Sequence, residues 1–139
     1  SGELQYFIIE DKSRHRTGLV TFTFINWKDR SLALEIFLGE DKKRGALYGA
    51  EALLLAAIYA FHHLNMHRIG MFINEFNHNA LSVARKTCVF EGKLKSHVFH
   101  DGKYWDVHSF GILKDEFEKN IIPKALKLGF NYVKTKKYY

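Results

Sequence analysis

The sequence has few of the residues that mark secreted, fibrous or membrane-spanning proteins. Among its 139 residues Cys88 is the single cysteine and Pro123 the single proline, which excludes an internal disulfide and a proline-rich linker. One unpaired cysteine favours a reducing compartment, so the cytoplasm is the expected location. No apolar run reaches the roughly 18 residues that a membrane span needs, and no signal peptide is recognisable at the start.

The overall composition and charge are those of a globular protein with an affinity for anions. Apolar residues make up 47% and charged residues 26%, which is typical of folded domains, and a chain of this length is predicted to form one domain over residues 1–139. The formal net charge of +6 attracts anions. Nucleic acid, an acidic membrane and a phosphorylated cofactor are all compatible with that charge, so the net charge alone does not distinguish among these partners.

Hydrophobic periodicity predicts a β-β-β-α-β-α-β-β-α order, which is an α+β fold with a mostly antiparallel sheet. In the second strand, alternation places Val20, Phe22 and Phe24 on one face. Asn77 is the predicted N-cap of the second helix, and Asp101-Gly102 is a hairpin signal. The predicted strands cover residues 4–10, 18–26, 32–38, 68–74, 90–99 and 104–113, and the predicted helices cover 47–64, 78–87 and 114–128, the last interrupted at Pro123.

One stretch suits an anionic ligand. The basic run 42–44 precedes Gly45 and Gly49, and a long apolar segment follows. This pattern indicates a tight loop that enters the first turn of a helix, where unpaired backbone N–H groups and the helix dipole favour a phosphate or pyrophosphate. For the glycines alone, a helix C-cap or an ordinary helix start is the simpler interpretation, so the ligand-binding interpretation depends on the rest of the chain.

The order and spacing of several motifs resemble the GCN5-related N-acetyltransferases, the GNAT superfamily, and within it the branch of ribosomal-protein alanine, spermidine and amino-sugar acetyltransferases. The resemblance covers roughly residues 5–118. The matching motifs are Arg44-Gly45-x-x-Tyr48-Gly49-x-Glu51-Ala52-Leu53, Leu64-Asn65-x-His67-Arg68-Ile69, Asn77-x-x-Ala80-Leu81, Glu91-Gly92-x-Leu94, Asp101-Gly102-Lys103-Tyr104-x-Asp106, and Ile112-Leu113 with Glu116.

The resemblance implies acetyl-CoA as cosubstrate, held in a V-shaped split between the third and fourth strands. In that family, backbone N–H groups of the loop cradle the pyrophosphate. The backbones of Phe37 and Leu38 would pair with the pantetheine arm, and Asn77 would touch the arm from the second helix. The cradle residues implied here are Arg44, Gly45, Ala46, Leu47, Gly49 and Ala50.

The implied activity is transfer of the acetyl group to a primary amine by direct attack, without a covalent enzyme intermediate. Glu35 is the candidate general base, because it lies on the strand beside the cofactor split, on the face opposite Leu34 and Ile36. An acidic residue at a partly exposed sheet position is an equally good account of Glu35. A backbone N–H near Phe37 or Leu38 is the candidate oxyanion donor.

Three departures separate this sequence from the family pattern. Ala84 stands where many members have a tyrosine that protonates the thiolate, and Leu47 replaces the usual middle glycine of the loop. Ser82, Cys88 and Tyr104 are alternative proton donors, each with a structural role as the simpler account. The strand and two helices that normally precede the first matched segment have no counterpart here, which indicates a truncated chain, a fragment, or a variant that borrows this wall from its tail or from a second subunit in a homodimer.

Two alternative functions remain open at this stage. Leu47 and Ala84 are compatible with a non-catalytic or weakly active acyl-CoA-binding domain, and the basic aromatic tail 129–139 is compatible with nucleic-acid binding, although a solvated tail explains it more simply. Eight histidines lack metal-ligand spacing, so no metal site is predicted. An amino sugar, a polyamine and a protein N-terminus are all candidate acceptors, and the positive charge slightly favours an anionic one.

Overall fold

Six strands form one mixed sheet in a computed structural model, which describes residues 4–38 and 45–130 of the chain, apart from the side chains of residues 45–48. The strand order across the sheet is β1-β2-β3-β4-β6-β5. The strands are β1 Gln5–Glu10, β2 Arg16–Asn26, β3 Ser31–Leu38, β4 Arg68–Asn74, β5 Val89–His100 and β6 Lys103–Leu113. The helices are α1 Gly45–Ile58, α2 His78–Thr87, α3 Lys114–Glu116 and α4 Ile122–Lys127. The predicted element order is confirmed.

The first three strands form the antiparallel meander that their short connections indicate. A bulge between Thr23 and Asn26 in β2 breaks the predicted alternation. Phe24 adopts a positive φ of 51°, and its side chain is 71% exposed, whereas Ile25 is 1% exposed. The prediction that Phe24 shares a face with Val20 and Phe22 is therefore wrong, because the extra residue of the bulge turns Ile25 into the core instead.

The strands β3 and β4 are parallel and are paired only at their starting ends. Ser31, Leu32 and Ala33 lie opposite Arg68, Ile69 and Gly70, and no pairing follows beyond them. Along its whole length β4 stays paired with β6, so it is β3 that diverges from β4. The sheet consequently opens into a V whose vertex lies just after Ala33 and Gly70.

The described helices pack against one face of the sheet. The main buried cluster joins α1 and the C-terminal helical segment to alternate residues of the central strands, among them Phe22, Leu34 and Ile69. A second cluster joins α2 to Ile73 and Phe110. Since side chains alternate along a strand, Ile69 and Ile73 share a face, and α1 and α2 therefore lie on the same side. None of the described helices combines the length and apolar character that crossing a lipid bilayer would require.

An ion pair crosses the sheet on the face opposite the helices. Arg68 of β4 donates from Nη1 to Oε2 of Glu91 at 2.8 Å, and both side chains pass over Gly111 of β6, where a Cβ would meet the guanidinium at 2.5 Å. The hydrogen bond to Glu91 raises the pKa of Arg68, and the same bond lowers the pKa of Glu91. The pair links three strands near the vertex of the V.

The predicted turn between β5 and β6 is confirmed at Asp101-Gly102. Both residues have positive φ, 52° and 79°, as a type I′ turn requires. The predicted interruption of the C-terminal helix lies earlier than expected. A π-helical segment Phe117–Ile121 precedes Pro123, which sits in the first turn of α4. Because Pro123 has no N–H and its ring would clash with the carbonyl four residues earlier, the helix widens before it.

His62 joins the end of α1 to the C-terminal helical segment. It lies in a π-helical segment, Tyr59–His63, that continues α1, and its side chain is 12% exposed with Nε2 3.6 Å from Oε1 of Glu118. Burial lowers the pKa of His62, an effect that Glu118 partly opposes. The folded state therefore favours the neutral imidazole.

The free energy of unfolding is expected to decrease as the pH falls from 7 to 5. A histidine with a lowered folded-state pKa takes up its proton more readily in the unfolded chain, so its contribution is complete above its ordinary pKa of about 6.5 and declines as the pH falls through the folded-state pKa. Urea denaturation between pH 5 and 8 measures the slope. The His62→Gln variant should flatten it, and His63→Gln, at the adjacent exposed position, is the control. An unaltered slope in His62→Gln would contradict the assignment.

Candidate active site

A cleft of about 410 Å³ lies where β3 and β4 diverge. Its volume is within the roughly 300–1,000 Å³ of small-molecule sites. Strands β3 and β4 form its walls, and residues from the start of α2 and from the β5–β6 hairpin also line it. It is lined by Phe24, Leu34, Glu35, Ile36, Phe37, Met71, Phe72, Ile73, Asn74, Asn77, Ala80, Leu94, His97, Val98 and Val107.

Glu35 lies on the β3 wall of this cleft. It faces away from Leu34, as the alternation predicted, and pairs across the ladder with Thr21 of β2. Thr21 is buried, and no hydrogen-bond partner of its hydroxyl is found within the described residues. Among the described lining residues, Glu35 is the one Asp, Glu, Lys or Arg, so the charged chemistry of this part of the cleft is that of a single carboxylate.

Phe37 and Leu38 continue β3 along the diverging edge. They pair with Leu19 and Gly18 of β2, and in an antiparallel ladder consecutive residues direct their N–H and C=O groups to opposite sides. One of the two residues therefore presents both backbone groups to the split, where β4 is too distant to pair. That position supplies a donor and an acceptor to any amide-containing ligand that enters.

The start of α1 approaches the same end of β3. A Cβ added at Gly49 would lie 2.9 Å from Cδ1 of Leu38, a separation that real side chains do not tolerate without movement. The small residue therefore lets the helix lie directly against the strand. Helix N–H groups at this end carry a partial positive charge, beside the open end of the V.

Asn77 caps α2, and the predicted N-cap is confirmed. Its Oδ1 accepts a hydrogen bond from the Ala80 N–H at 3.3 Å. Asn77 and Ala80 both line the cleft. Because the cap uses Oδ1, the amide nitrogen of Asn77 is the side-chain group that remains to contact a ligand.

Some predicted cofactor residues lie elsewhere or outside the described part of the chain. Arg44 is outside the described residues, and of Gly45, Ala46 and Leu47 the structure describes the backbone, which is helical from Gly45 onward. Ala50 is exposed and lines a separate apolar cavity between the helices rather than the cleft. The cleft thus gathers Glu35, Phe37 and Asn77, and the roles assigned to the cradle stay predictions.

Among the lining residues that were not singled out as site residues from the sequence, two aromatic side chains and one histidine matter for the chemistry. Phe24 and Phe72 stand at the cleft with ring centroids 6.3 Å apart in a T-shaped arrangement, and Phe72 is 44% exposed. His97 of β5 is the second titratable side chain among the described lining residues. The bulge that exposes Phe24 has no signature in the alternating sequence, and an isolated histidine in a strand has none either.

None of the three alternative proton donors lines the cleft. Ser82 lies on the exposed side of α2, and Tyr104 is exposed on β6. Cys88 is partly buried behind the sheet, and burial raises the pKa of its thiol. Ala84 is 1% exposed and packs with Leu81 and Phe110. Within the described residues, no three His, Cys, Asp or Glu side chains are grouped so as to hold a metal ion.

Solved acetyltransferase structures share this fold. A point mutant of the spermidine N-acetyltransferase SpeG from Vibrio cholerae is similar over 82% of this chain and 68% of its own, with a TM-score of 0.75 and 28% identity. The spermidine/spermine N-acetyltransferase SpeG from Vibrio cholerae in complex with manganese ions matches with a TM-score of 0.74 and 28% identity, over 84% and 68% of the two chains. A dodecameric spermidine N-acetyltransferase from Vibrio cholerae has a TM-score of 0.70 and 28% identity, over 82% and 67%. No protein of curated function matches the sequence.

The model of the acetyltransferase (GNAT) domain family matches residues 1–87, which is more than half of the chain. The chain therefore belongs to the GNAT acetyltransferases, and it is an acetyl-CoA-dependent N-acetyltransferase. Its described residues fit that cosubstrate. The V exposes unpaired backbone groups at Phe37 or Leu38, and close contact at Gly49 brings a helix N-terminus beside them, which suits a ligand with amides and a pyrophosphate.

Proposed function

We propose that this enzyme acetylates an aliphatic polyamine or a similar cationic amine, with Glu35 as the general base. The observation that carries the proposal is the lining of the cleft, where Glu35 is the one Asp, Glu, Lys or Arg among the described lining residues. An anionic acceptor such as an amino sugar nucleotide would need Lys or Arg partners. The cleft thus favours a cation, in contrast to the preference drawn from net charge.

The two aromatic rings support the same choice. Phe24 and Phe72 present exposed ring surface beside Glu35, and ring faces attract ammonium groups within about 6 Å of the centroid. A carboxylate and two rings around an otherwise apolar cleft suit a chain that alternates methylene and ammonium groups. The similar structures named above are spermidine N-acetyltransferases, which agrees with this class of acceptor.

Glu35, the backbone of Phe37 or Leu38, and Asn77 each have a role in the proposed reaction. Glu35 takes a proton from the acceptor ammonium, which frees the nitrogen lone pair. Bound acetyl-CoA supplies the thioester whose carbonyl carbon the amine attacks. The amine forms the C–N bond as the C–S bond breaks, its second proton goes to the sulfur, and Glu35 returns its proton to water. The inward N–H of Phe37 or Leu38 stabilises the developing negative charge on the carbonyl oxygen, and Asn77 orients the pantetheine arm.

A binding and turnover experiment tests the proposal. Acetyl-CoA at about 100 times its dissociation constant should raise the free energy of unfolding by roughly 2.7 kcal/mol. Release of free thiol should then follow with spermidine and with diamines of similar length, and it should be weaker with an amino sugar nucleotide or a peptide N-terminus. Turnover confined to the anionic acceptor would contradict the acceptor class. Binding without turnover on any amine would favour the non-catalytic acyl-CoA-binding alternative.

A further inference from the structure

We infer that the donor site extends into a second cavity behind the V, so that the enzyme accepts aliphatic acyl-CoA donors longer than acetyl. This inference rests on the proposed function. The cavity of about 230 Å³ lies between α1, α2 and the C-terminal helical segment. At about 30 Å³ for each group the size of a water molecule, it holds about seven methylene-sized groups.

The cavity adjoins the cleft at two side chains. Leu34 of β3 and Met71 of β4 line both spaces. They directly follow Ala33 and Gly70, the last residues paired between β3 and β4, so they form the vertex of the V. With the pantetheine arm along Phe37 and Leu38, farther out on the same strand, an acyl chain that extends beyond the thioester points toward this vertex.

The chemistry of the walls suits a saturated chain. Polar side chains among the described lining residues are Thr87, Cys88 and Lys124. The Thr87 hydroxyl donates to the Val83 carbonyl at 2.8 Å, Cys88 is a partly buried thiol, and Lys124 is exposed. The remaining lining residues are aliphatic or aromatic, including Ala57, Ile121 and Phe130. Burial of methylene groups against such walls is favourable, whereas a charged headgroup or a sugar would find few hydrogen-bonding partners there.

Helix α1 provides a matched pair of variants. Its residues Ala50, Leu53, Leu54 and Ala57 face this cavity, whereas Ala56 faces a different space between α1 and β1. The Ala57→Phe variant fills the inferred acyl site. Ala56→Phe makes the same chemical change one residue earlier and leaves that site open, so it is the control.

Isothermal titration calorimetry with acetyl-, butyryl-, hexanoyl- and octanoyl-CoA tests the inference. Because each buried methylene is worth a factor of about four in affinity, two added methylenes should tighten binding about fifteenfold until the cavity is full. In Ala57→Phe the ratio of acetyl-CoA to hexanoyl-CoA dissociation constants should fall to about one, whereas Ala56→Phe should keep the wild-type ratio. If Ala57→Phe does not fold, Val83→Phe on the partly exposed face of α2 fills the same space.

The calorimetric results distinguish the inferred acyl site from a site for part of the coenzyme and from failure of the proposed function. Hexanoyl-CoA that binds no more tightly than acetyl-CoA to the wild-type enzyme would overturn the inference and leave acetyl transfer intact. Equal loss of affinity for acetyl-CoA and hexanoyl-CoA in Ala57→Phe would also overturn it, because the cavity would then hold part of the coenzyme rather than the acyl chain. Absence of binding by acetyl-CoA itself would instead overturn the proposed function.

Discussion

The Glu35→Gln variant is expected to lose acetyl transfer by a factor of about 10²–10⁴ in kcat, which is the usual contribution of a general base. Glutamine keeps the size and most of the polarity of the side chain but cannot accept the ammonium proton. Steady-state thiol release with spermidine measures the loss. Titration of acetyl-CoA by calorimetry should show cosubstrate binding retained, because the predicted cofactor contacts come from the backbone of Phe37 or Leu38 and from Asn77.

The control for this variant is Glu10→Gln on β1, which removes an exposed carboxylate outside the cleft. Its turnover should match the wild type. Equal turnover in Glu35→Gln and Glu10→Gln would remove Glu35 from the mechanism and leave His97 as the remaining titratable side chain among the described lining residues. A loss of acetyl-CoA binding in Glu35→Gln would assign Glu35 a role in shaping the cleft instead.

The Gly18→Ala variant is expected to disturb both stability and cosubstrate binding. Gly18 pairs with Leu38, and an added Cβ would lie 2.5 Å from the carbonyl oxygen of Phe37. That neighbour is backbone and cannot rotate away, so β2 and β3 must shift apart. Overpacking of this kind costs about 1–3 kcal/mol. The shift falls on the strand edge that is proposed to hold the pantetheine arm, so the affinity for acetyl-CoA should fall with it.

Gly70→Ala is the matched control, since it makes the same substitution in a strand of the same sheet. A Cβ at Gly70 would meet its nearest neighbour, the Phe110 carbonyl oxygen, at 3.8 Å, which is ordinary van der Waals contact. Urea denaturation and acetyl-CoA calorimetry should therefore give near wild-type values for Gly70→Ala. Similar results for the two variants would contradict the close approach at Phe37.

The sequence predicted the element order and most element boundaries, because those depend on local patterns. The apolar runs, the Asn77 cap and the Asp101-Gly102 turn are each read within a few residues. The face of Phe24 was mispredicted because a bulge depends on how β2 pairs with β3, and pairing is not visible in one strand. The interruption of the C-terminal helix was predicted at Pro123, whereas the π-helical segment lies a few residues earlier, at Phe117–Ile121, because the chain accommodates the missing N–H in the preceding turn.

The sequence predicted the site residues that belong to ordered motifs. It did not predict the residues that reach the cleft through the packing of strands distant in sequence. Resemblance to the acetyltransferases placed Glu35, Phe37 and Asn77 together, and the cleft gathers all three. Phe72 and His97 come from a strand and a hairpin whose approach to β3 is set by the whole sheet. Roles of Arg44 and Leu47 stay predictions, because Arg44 and the side chain of Leu47 lie outside the described part of the chain.

The face of the sheet opposite the helices has a consequence for the behaviour of the protein in solution. Among the described residues it exposes Tyr6, Ile8, Phe37 and Phe72, and exposed apolar surface of this kind promotes association. The net charge of +6 opposes association by mutual repulsion, which salt screens. Colloidal stability should therefore be greatest at low ionic strength, and sulfate salts, which strengthen apolar burial, should drive molecules together through this face.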